Sequence, residues 1–361
     1  MAALTTATSN INSPVNFVLM KALLSAARKK LPFFNGTLAS SMQKESNGAA
    51  SVKWRRIENL AAVTTALAEV NGTAAAFLGR DAVRPTYTDI TATVAKYGNL
   101  VLTTEEMDLY QVNSKTLDFV DTMGANAGES LNRLMEVVFA TATTIRYSTG
   151  TAGGTTTDTL VVSPITAGDI KYCVNQLNAN SAMKFTTPGF GSQNVGTSPV
   201  RASYYGITHV DVEEDIRGIS GFIPVEQYGG YTETMPFEFG AVNGVRWCST
   251  EIIPISSGIA AISTTGYRGT TTALQNVYSS YIYGKEAVGT VSLGNMHATS
   301  AYEMYDPAKP PAVELVIHPK GSSGIFDPYN EMGSIAWKTF HAGAVLNAGW
   351  VTKVRTLCNK L

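Results

Sequence analysis

Residues 277–293 read VYSSYIYGKEAVGTVSL, residues 318–347 read HPKGSSGIFDPYNEMGSIAWKTFHAGAVLN, and residues 349–358 end the run with GWVTKVRTLC. Apolar positions alternate through these stretches as in a half-buried strand, and glycines and turn signals such as Asp327-Pro328 break them into segments. What stands out is glycine and aromatic side chains; neither a nucleophile motif nor a metal-ligand spacing does. The region is therefore expected to fold as sheet built for packing, and its partners must be sought upstream.

The strongest upstream element is residues 116–146. Leu117, Val120, Ala127, Leu131, Leu134, Met135, Val138, Phe139, Ala142 and Ile145 recur at a period near 3.6, which predicts one helix of thirty-one residues, roughly 45 Å long. Gly124 and Gly128 sit one turn apart and each costs about 1 kcal/mol of helix propensity against Ala. Their expected use is close approach of another backbone, a strand or a neighbour's appendage. A second, shorter helix is expected after Thr166-Ala-Gly-Asp169, which fits a capping box, with Ile170, Cys173, Val174 and Leu177 on its apolar face.

Ahead of the long helix, residues 52–70 begin with Lys53, Arg55 and Arg56, pass Asn71-Gly72, and return through the alternating TYTDITATV of residues 86–94. This reads as an extended two-stranded finger with a Gly-rich tip carrying Arg80 and Arg84. An isolated ribbon is marginal in water, so it is expected to lean on another surface. Residues 1–50 read as an arm with one amphipathic stretch, in which Phe17, Met20, Leu23 and Leu24 would dock on this subunit or the next. Glu105, Glu106 and Asp108 are expected to meet a neighbour's arginines, and Lys53, Arg55 and Arg56 to pair with carboxylates across a subunit boundary. The outline is α+β.

Composition narrows the function. A chain of 361 residues has room for about two domains. Charged residues are 15% against 44% apolar, which fits either a surface covered by neighbours or a neutral globular protein with a Thr/Ser/Gly-rich exterior. A net charge of −1 supplies no whole-molecule field for nucleic acid. The N-terminus lacks a signal-type apolar core, and no run approaches the length of a membrane span, so a cytoplasmic product is expected. Cys173, Cys248 and Cys358 lie far apart and read as small buried hydrophobes.

With these segments in order, the chain resembles the major capsid proteins with the fold first described in phage HK97, and more narrowly the group typified by the N4 phage capsid subunit. The resemblance rests on TYTDITATVAKYGNLVLTTEEMDL, then the long helix, then YYGITHVDVEEDIRG, where His209, Val210, Asp211, Asp215 and Arg217 match a His-x-Asp and an Asp-Leu-Arg turn, with Ile216 in place of the leucine. FIPVEQYGG follows, and then FEFGAVNGVRWCSTEII, where Glu238, Gly240, Gly244 and Arg246 match E-x-G-x-x-x-G-x-R. YIYGKEAVGTVSL and GSIAWKTFHAGAVLN complete the series. Residues 1–50, 187–203 and 259–273 are not covered.

The resemblance implies an N-terminal arm at 1–51, an E-loop and the start of a P-domain at 52–104, a P-domain with its spine helix at 105–165, an A-domain at 166–310, and C-terminal strands returning to the P-domain at 311–361. It implies hexamers and pentamers closing an icosahedral head, located in the virion and assembled in the host bacterial cytoplasm. The partners it implies are the chain itself, a portal, decoration or scaffolding proteins, and packaged double-stranded DNA held non-specifically, with no membrane.

Chemistry is the competing expectation. His209 with Asp211 and Asp215 could be drawn as a catalytic or metal cluster, and Glu213-Glu214-Asp215 as a cation site, but HExxH, EF-hand, P-loop and GxSxG spacings are all missing. The structural reading is preferred, with no enzyme activity, cofactor or metal expected. The alternative is an enzyme or carbohydrate-binding module that uses the Tyr/Gly/Thr-rich region 184–296.

Overall fold

The structure is a computed structural model that describes residues 32–34, 37–41, 51–58, 60, 62, 64, 85–110, 116–149, 157–185, 202–227, 237–260, 266–271, 274–292, 313–318, 320, 328–329 and 331–360. In chain order its elements are β1 (Leu38–Ser41), β2 (Ser51–Ile57), β3 (Tyr87–Thr93), β4 (Ala95–Thr104), α1 (Glu105–Tyr110), α2 (Thr116–Ala140), β5 (Thr144–Tyr147), α3 (Ala167–Ala179), β6 (Tyr204–His209), α4 (Glu213–Arg217), β7 (Ile223–Pro224), β8 (Glu238–Val242), β9 (Val245–Thr250) and β10 (Ser256–Ala260). Then come β11 (Gly269–Thr271), β12 (Leu274–Tyr283), β13 (Val288–Ser292), β14 (Glu314–His318), β15 (Met332–Val345) and β16 (Val351–Thr356). The α+β class holds.

The spine helix α2 is shorter than its periodicity suggests: it has 25 residues and ends at Ala140, not at 146. Thr141 explains the stop. Its N–H and its hydroxyl both donate to the Val138 carbonyl, at 3.2 and 2.6 Å, and close the last turn tightly. The threonines and isoleucine that follow are β-branched, and residues 144–147 run on as β5, parallel to β16. Ala142 and Ile145 continue the apolar count, but Ile145 is exposed on a strand.

Two sheets flank the spine among the described residues. The five-stranded one orders β1-β13-β15-β14, with β4 on the other side of β15, and its β4–β15 ladder runs unbroken from Thr104↔Met332 to Ala95↔His341. The nine-stranded one orders β5-β16-β12-β6-β9-β8-β7, with β10 and β11 also on β12. β16, one of the C-terminal strands expected to return to the spine's domain, pairs with β12 over Tyr278↔Thr356 to Tyr283↔Val351 and on its other edge with β5, which follows the spine. Conversely β13, expected in the 166–310 unit, pairs with β15. The chain crosses between sheets here because buried positions dominate both β12 and β16, so neither can lie on a solvated edge.

The spine serves both sheets. Val120, Met123, Ala127 and Leu131 pack on Ile335 and Trp337 of the smaller sheet. One end further on, Met135 and Phe139 pack on Ile207, Tyr281, Tyr283 and Val351 of the larger one. α3 covers the larger sheet through Ile170, Cys173 and Leu177, and its capping box is present as expected, with Asp169 N–H donating to Thr166 Oγ1 and Thr166 N–H to Asp169 Oδ2, both at 3.3 Å.

Candidate assembly interface

Seven residue pairs join β2 to β3, from Ser51↔Thr93 to Ile57↔Tyr87, and form the base of the expected finger. Lys53 and Arg55 share one face, as alternation requires. Both meet Asp89 on the opposite strand, Lys53 Nζ at 2.6 Å and Arg55 Nε at 2.8 Å. Hydrogen bonds from Arg55 and then Lys53 hold the Asp89 carboxyl well below the usual carboxylate range. On the other face Arg56 pairs with Glu58 at 2.6 Å and donates to the Leu346 carbonyl at 3.1 Å. The three cations therefore have acceptors inside the chain, where a carboxylate of another subunit was expected. Sequence spacing could not show this, because Arg55 and Asp89 lie 34 positions apart.

The ribbon's base also leans on the body. Val52, Trp54 and Val94 pack with Ala92 and Ala342, and a Cβ added to Gly289 would stand 3.1 Å from the Trp54 ring. Between the base and the turn before β16 lies a groove of about 600 Å³ whose walls include Trp54, Ile57, Glu58, Met183, Leu346 and Trp350. Glu58, its one acid from the ribbon, is held low by hydrogen bonds from the Thr88 hydroxyl and Arg56.

Glu105 opens α1, and its N–H donates to the Glu331 carbonyl at 2.9 Å. Glu105 and Glu106 are exposed and form no ion pair with a described residue. Asp108 lies on α1, but its side chain is outside the described residues, as are Phe17, Met20, Leu23, Leu24, Arg80 and Arg84. Gly124 and Gly128 are both buried in α2. The close approach of helix and strand that is visible is made by a glycine on the strand: a Cβ at Gly343 would lie 3.1 Å from Val138 Cγ2 and 3.2 Å from Met135 sulfur.

The arm is more than an arm. Pro32 and Phe33 are buried, Phe33 meets Phe139 and Tyr281 at ring distances of 5.3 and 5.9 Å, and its N–H donates to the buried Asn132 at 3.1 Å. β1 then adds to β13 in parallel. The aromatic pair Phe33-Phe34 next to a proline is the sequence signal for this docking.

The His209 block is structural. The His209 Nδ1 accepts from the Asp211 N–H at 3.1 Å, so that nitrogen carries no proton, and burial lowers the ring's pKa. Asp211 takes Arg268 at 2.6 Å and the Tyr278 hydroxyl at 2.9 Å, while Asp215 accepts from Asn359 Nδ2 at 2.6 Å. Asp211 and Asp215 thus join the turn to distant strands, while Glu213 pairs within the turn with Arg217 at 2.7 Å. Among the described residues no group of three His, Cys, Asp or Glu could hold a metal ion, and no helix is long and apolar enough to cross a membrane.

The E-x-G-x-x-x-G-x-R strand resolves into a hairpin. Asn243 and Gly244 have φ of 51° and 80°, the pair of positive values that an Asn-Gly turn of type I′ demands. That turn brings Arg246 back beside Glu238 at 2.6 Å, with side-chain exposures of 4% and 0%. Gly240 is required by contact, since a Cβ there would stand 2.2 Å from Phe222 and 2.7 Å from the Ile223 carbonyl. Further buried ties went unseen in the sequence, among them Arg355 to Asp158 and the Tyr281 hydroxyl to Glu136 at 2.8 Å. Tyr204, Tyr278, Tyr281 and Tyr283 are buried, so these tyrosines of the 184–296 region furnish core and cannot line a sugar-recognition surface.

No protein-family model matches the sequence, and no curated protein matches it. The fold has many solved counterparts. The chain is similar to the capsid of Ralstonia phage GP4, with 92% of each chain covered, a TM-score of 0.61 and 10% identity. It is similar to the Cyanophage Pam1 capsid over 93% of this chain and 92% of that one, with a TM-score of 0.54 and 10% identity. The Cyanophage P-SCSP1u capsid gives 0.54 over 90% and 88%, again at 10% identity.

Proposed function

We propose that the chain is the major capsid protein of a tailed bacteriophage, a subunit that repeats to close an icosahedral head around packaged double-stranded DNA. The observation that carries this reading is a fold shared nearly end to end with phage capsid chains. It is supported by the His209 block, whose Asp211 and Asp215 hold the turn to distant strands, and by the absence among the described residues of a group of three His, Cys, Asp or Glu that could hold a metal ion. In this reading residues 52–104 are the E-loop and the start of the P-domain, α2 is the spine, and 166–310 is the A-domain around which hexamers and pentamers close. Residues 311–361 divide between the two sheets. The HK97-type architecture and the closer kinship to the N4 group belong to this proposal, as do a portal, decoration or scaffolding partners and a virion location.

The shell would be held by contacts repeated by symmetry, closed around each ring by rotation. Glu105, Glu106 and Asp108, the arm residues Phe17, Met20, Leu23 and Leu24, the finger's Arg80 and Arg84, and a backbone crossing at Gly124 and Gly128 are the proposed inter-subunit contacts. Lys53, Arg55 and Arg56 act instead by stiffening the finger's root. Sedimentation of the chain expressed alone tests the function. Material in the size range of capsomers or shells is expected, and a stable monomer at all concentrations would overturn it.

A further inference from the structure

β4 is an open edge. The bond from Glu105 N–H to the Glu331 carbonyl sets the parity of the adjoining ladder, so odd-numbered residues of β4 exchange bonds with β15. Lys96, Gly98, Leu100, Leu102 and Thr104 therefore turn their N–H and C=O groups away from it, and no described strand pairs on that side. Proteins usually blunt such an edge with proline, a bulge or inward charge. Here the ten-residue register has no shift and no proline. The Leu100 N–H donates to Oδ1 of Asn99, the preceding residue of the same chain, at 2.8 Å, a bond that an incoming carbonyl can replace one for one.

The side chains of this edge complement themselves. Lys96 stands at one end and Glu105 and Glu106 just past the other, all exposed and without an ion-pair partner among the described residues. Between them Leu100 and Leu102 are 54% and 58% exposed on the sheet face away from α2. A second strand of the same sequence, laid antiparallel, brings a cation to each acid end and leucine to leucine. The ribbon is a poorer occupant because its cations Lys53, Arg55 and Arg56 already have acceptors.

We propose that two copies of the chain join β4 to β4, antiparallel, about a two-fold axis at Val101, which makes one continuous sheet across the boundary. This rests on the shell reading and names the contact between two of its subunits. Parity admits the register: Leu100 and Leu102 of the second copy form a bonded pair, Gly98 meets Thr104, and Lys96 comes to the start of α1, where Glu105 and Glu106 stand. Val101 then opposes itself in a non-bonded pair with Cα atoms about 4.5 Å apart, within disulfide reach.

The test is a Val101→Cys chain, assembled, oxidised and run on a non-reducing gel; the native Cys173, Cys248 and Cys358 are buried. A disulfide-linked dimer is expected. Adding Lys96→Glu should lower the dimer fraction several-fold, and adding Glu106→Lys as well should restore it, because a two-fold axis repairs both ion pairs at once. In unmodified particles, amide exchange at Gly98, Leu100, Leu102 and Thr104 should slow on assembly, while Tyr97, Val101 and Thr103 are slow throughout. Particles that form without dimers and keep those four amides fast would overturn this interface and leave the shell reading intact. Dimers without any larger particle would support the interface and overturn the shell reading.

Discussion

Arg246 and Glu238 carry opposite charges into a site that water does not reach, and the cost is offset by their mutual hydrogen bonds. Truncating one partner strands the other, so Arg246→Met should destabilise the subunit by about 3–5 kcal/mol, measured by urea unfolding, and the Arg246→Met/Glu238→Gln double variant should recover part of it. Glu238 and Arg246 matched one pattern in the sequence but were not paired by it; the signal passed over is Asn243-Gly244, a hairpin turn that sets positions 238 and 246 near each other. Arg355 and Asp158, 197 positions apart, offered no such bridge. His341 carries a pH dependence. Burial pushes its pKa down to about 4, and its Nε2 has no partner among the described residues. Unfolding lets the ring take up a proton nearer its ordinary 6.5. Stability is therefore full above about 6.5 and is lost as pH falls through about 4, by about 3 kcal/mol in total. Burial lowers His209 in the same direction. A His341→Gln chain should show a flatter loss of stability over that range.

The spine helix and the strand beside it show what periodicity can and cannot deliver. Apolar spacing located α2 correctly, but a count of apolar positions does not register a threonine that turns its hydroxyl onto its own helix, and so it overran the end by six positions. Strand alternation likewise found β15 and β16, yet it could not assign them to different sheets, since both read alike until their partners are known. Gly343→Val should press on Val138 and Met135 and cost about 1–3 kcal/mol in thermal unfolding of the subunit. The buried glycines of the helix make a separate forecast. Ala at both Gly124 and Gly128 should hold or raise helix content by circular dichroism, as propensity dictates. If a neighbour's backbone crosses there, particle counts should fall in the same sample; undiminished particles with a higher melting temperature would refute the crossing.

At the scale of the molecule, the order of segments was legible where single motifs were not. A finger, a spine, a His-x-Asp turn, an E-x-G-x-x-x-G-x-R segment and two late strands in sequence describe a fold shared with phage capsid chains, although identity to them is near 10%. Contacts between subunits join residues of different chains, and no spacing within one chain encodes them. The finger's tip makes a prediction at this scale: Arg80→Glu with Arg84→Glu should leave the subunit folded and reduce particle yield. The central claim is that this chain builds a closed shell. Cryo-electron microscopy of the assembled chain tests it most directly. The account predicts icosahedral particles whose surface resolves into rings of six and five subunits with β4 strands meeting across two-folds, and a small discrete species that never closes into a shell would contradict it.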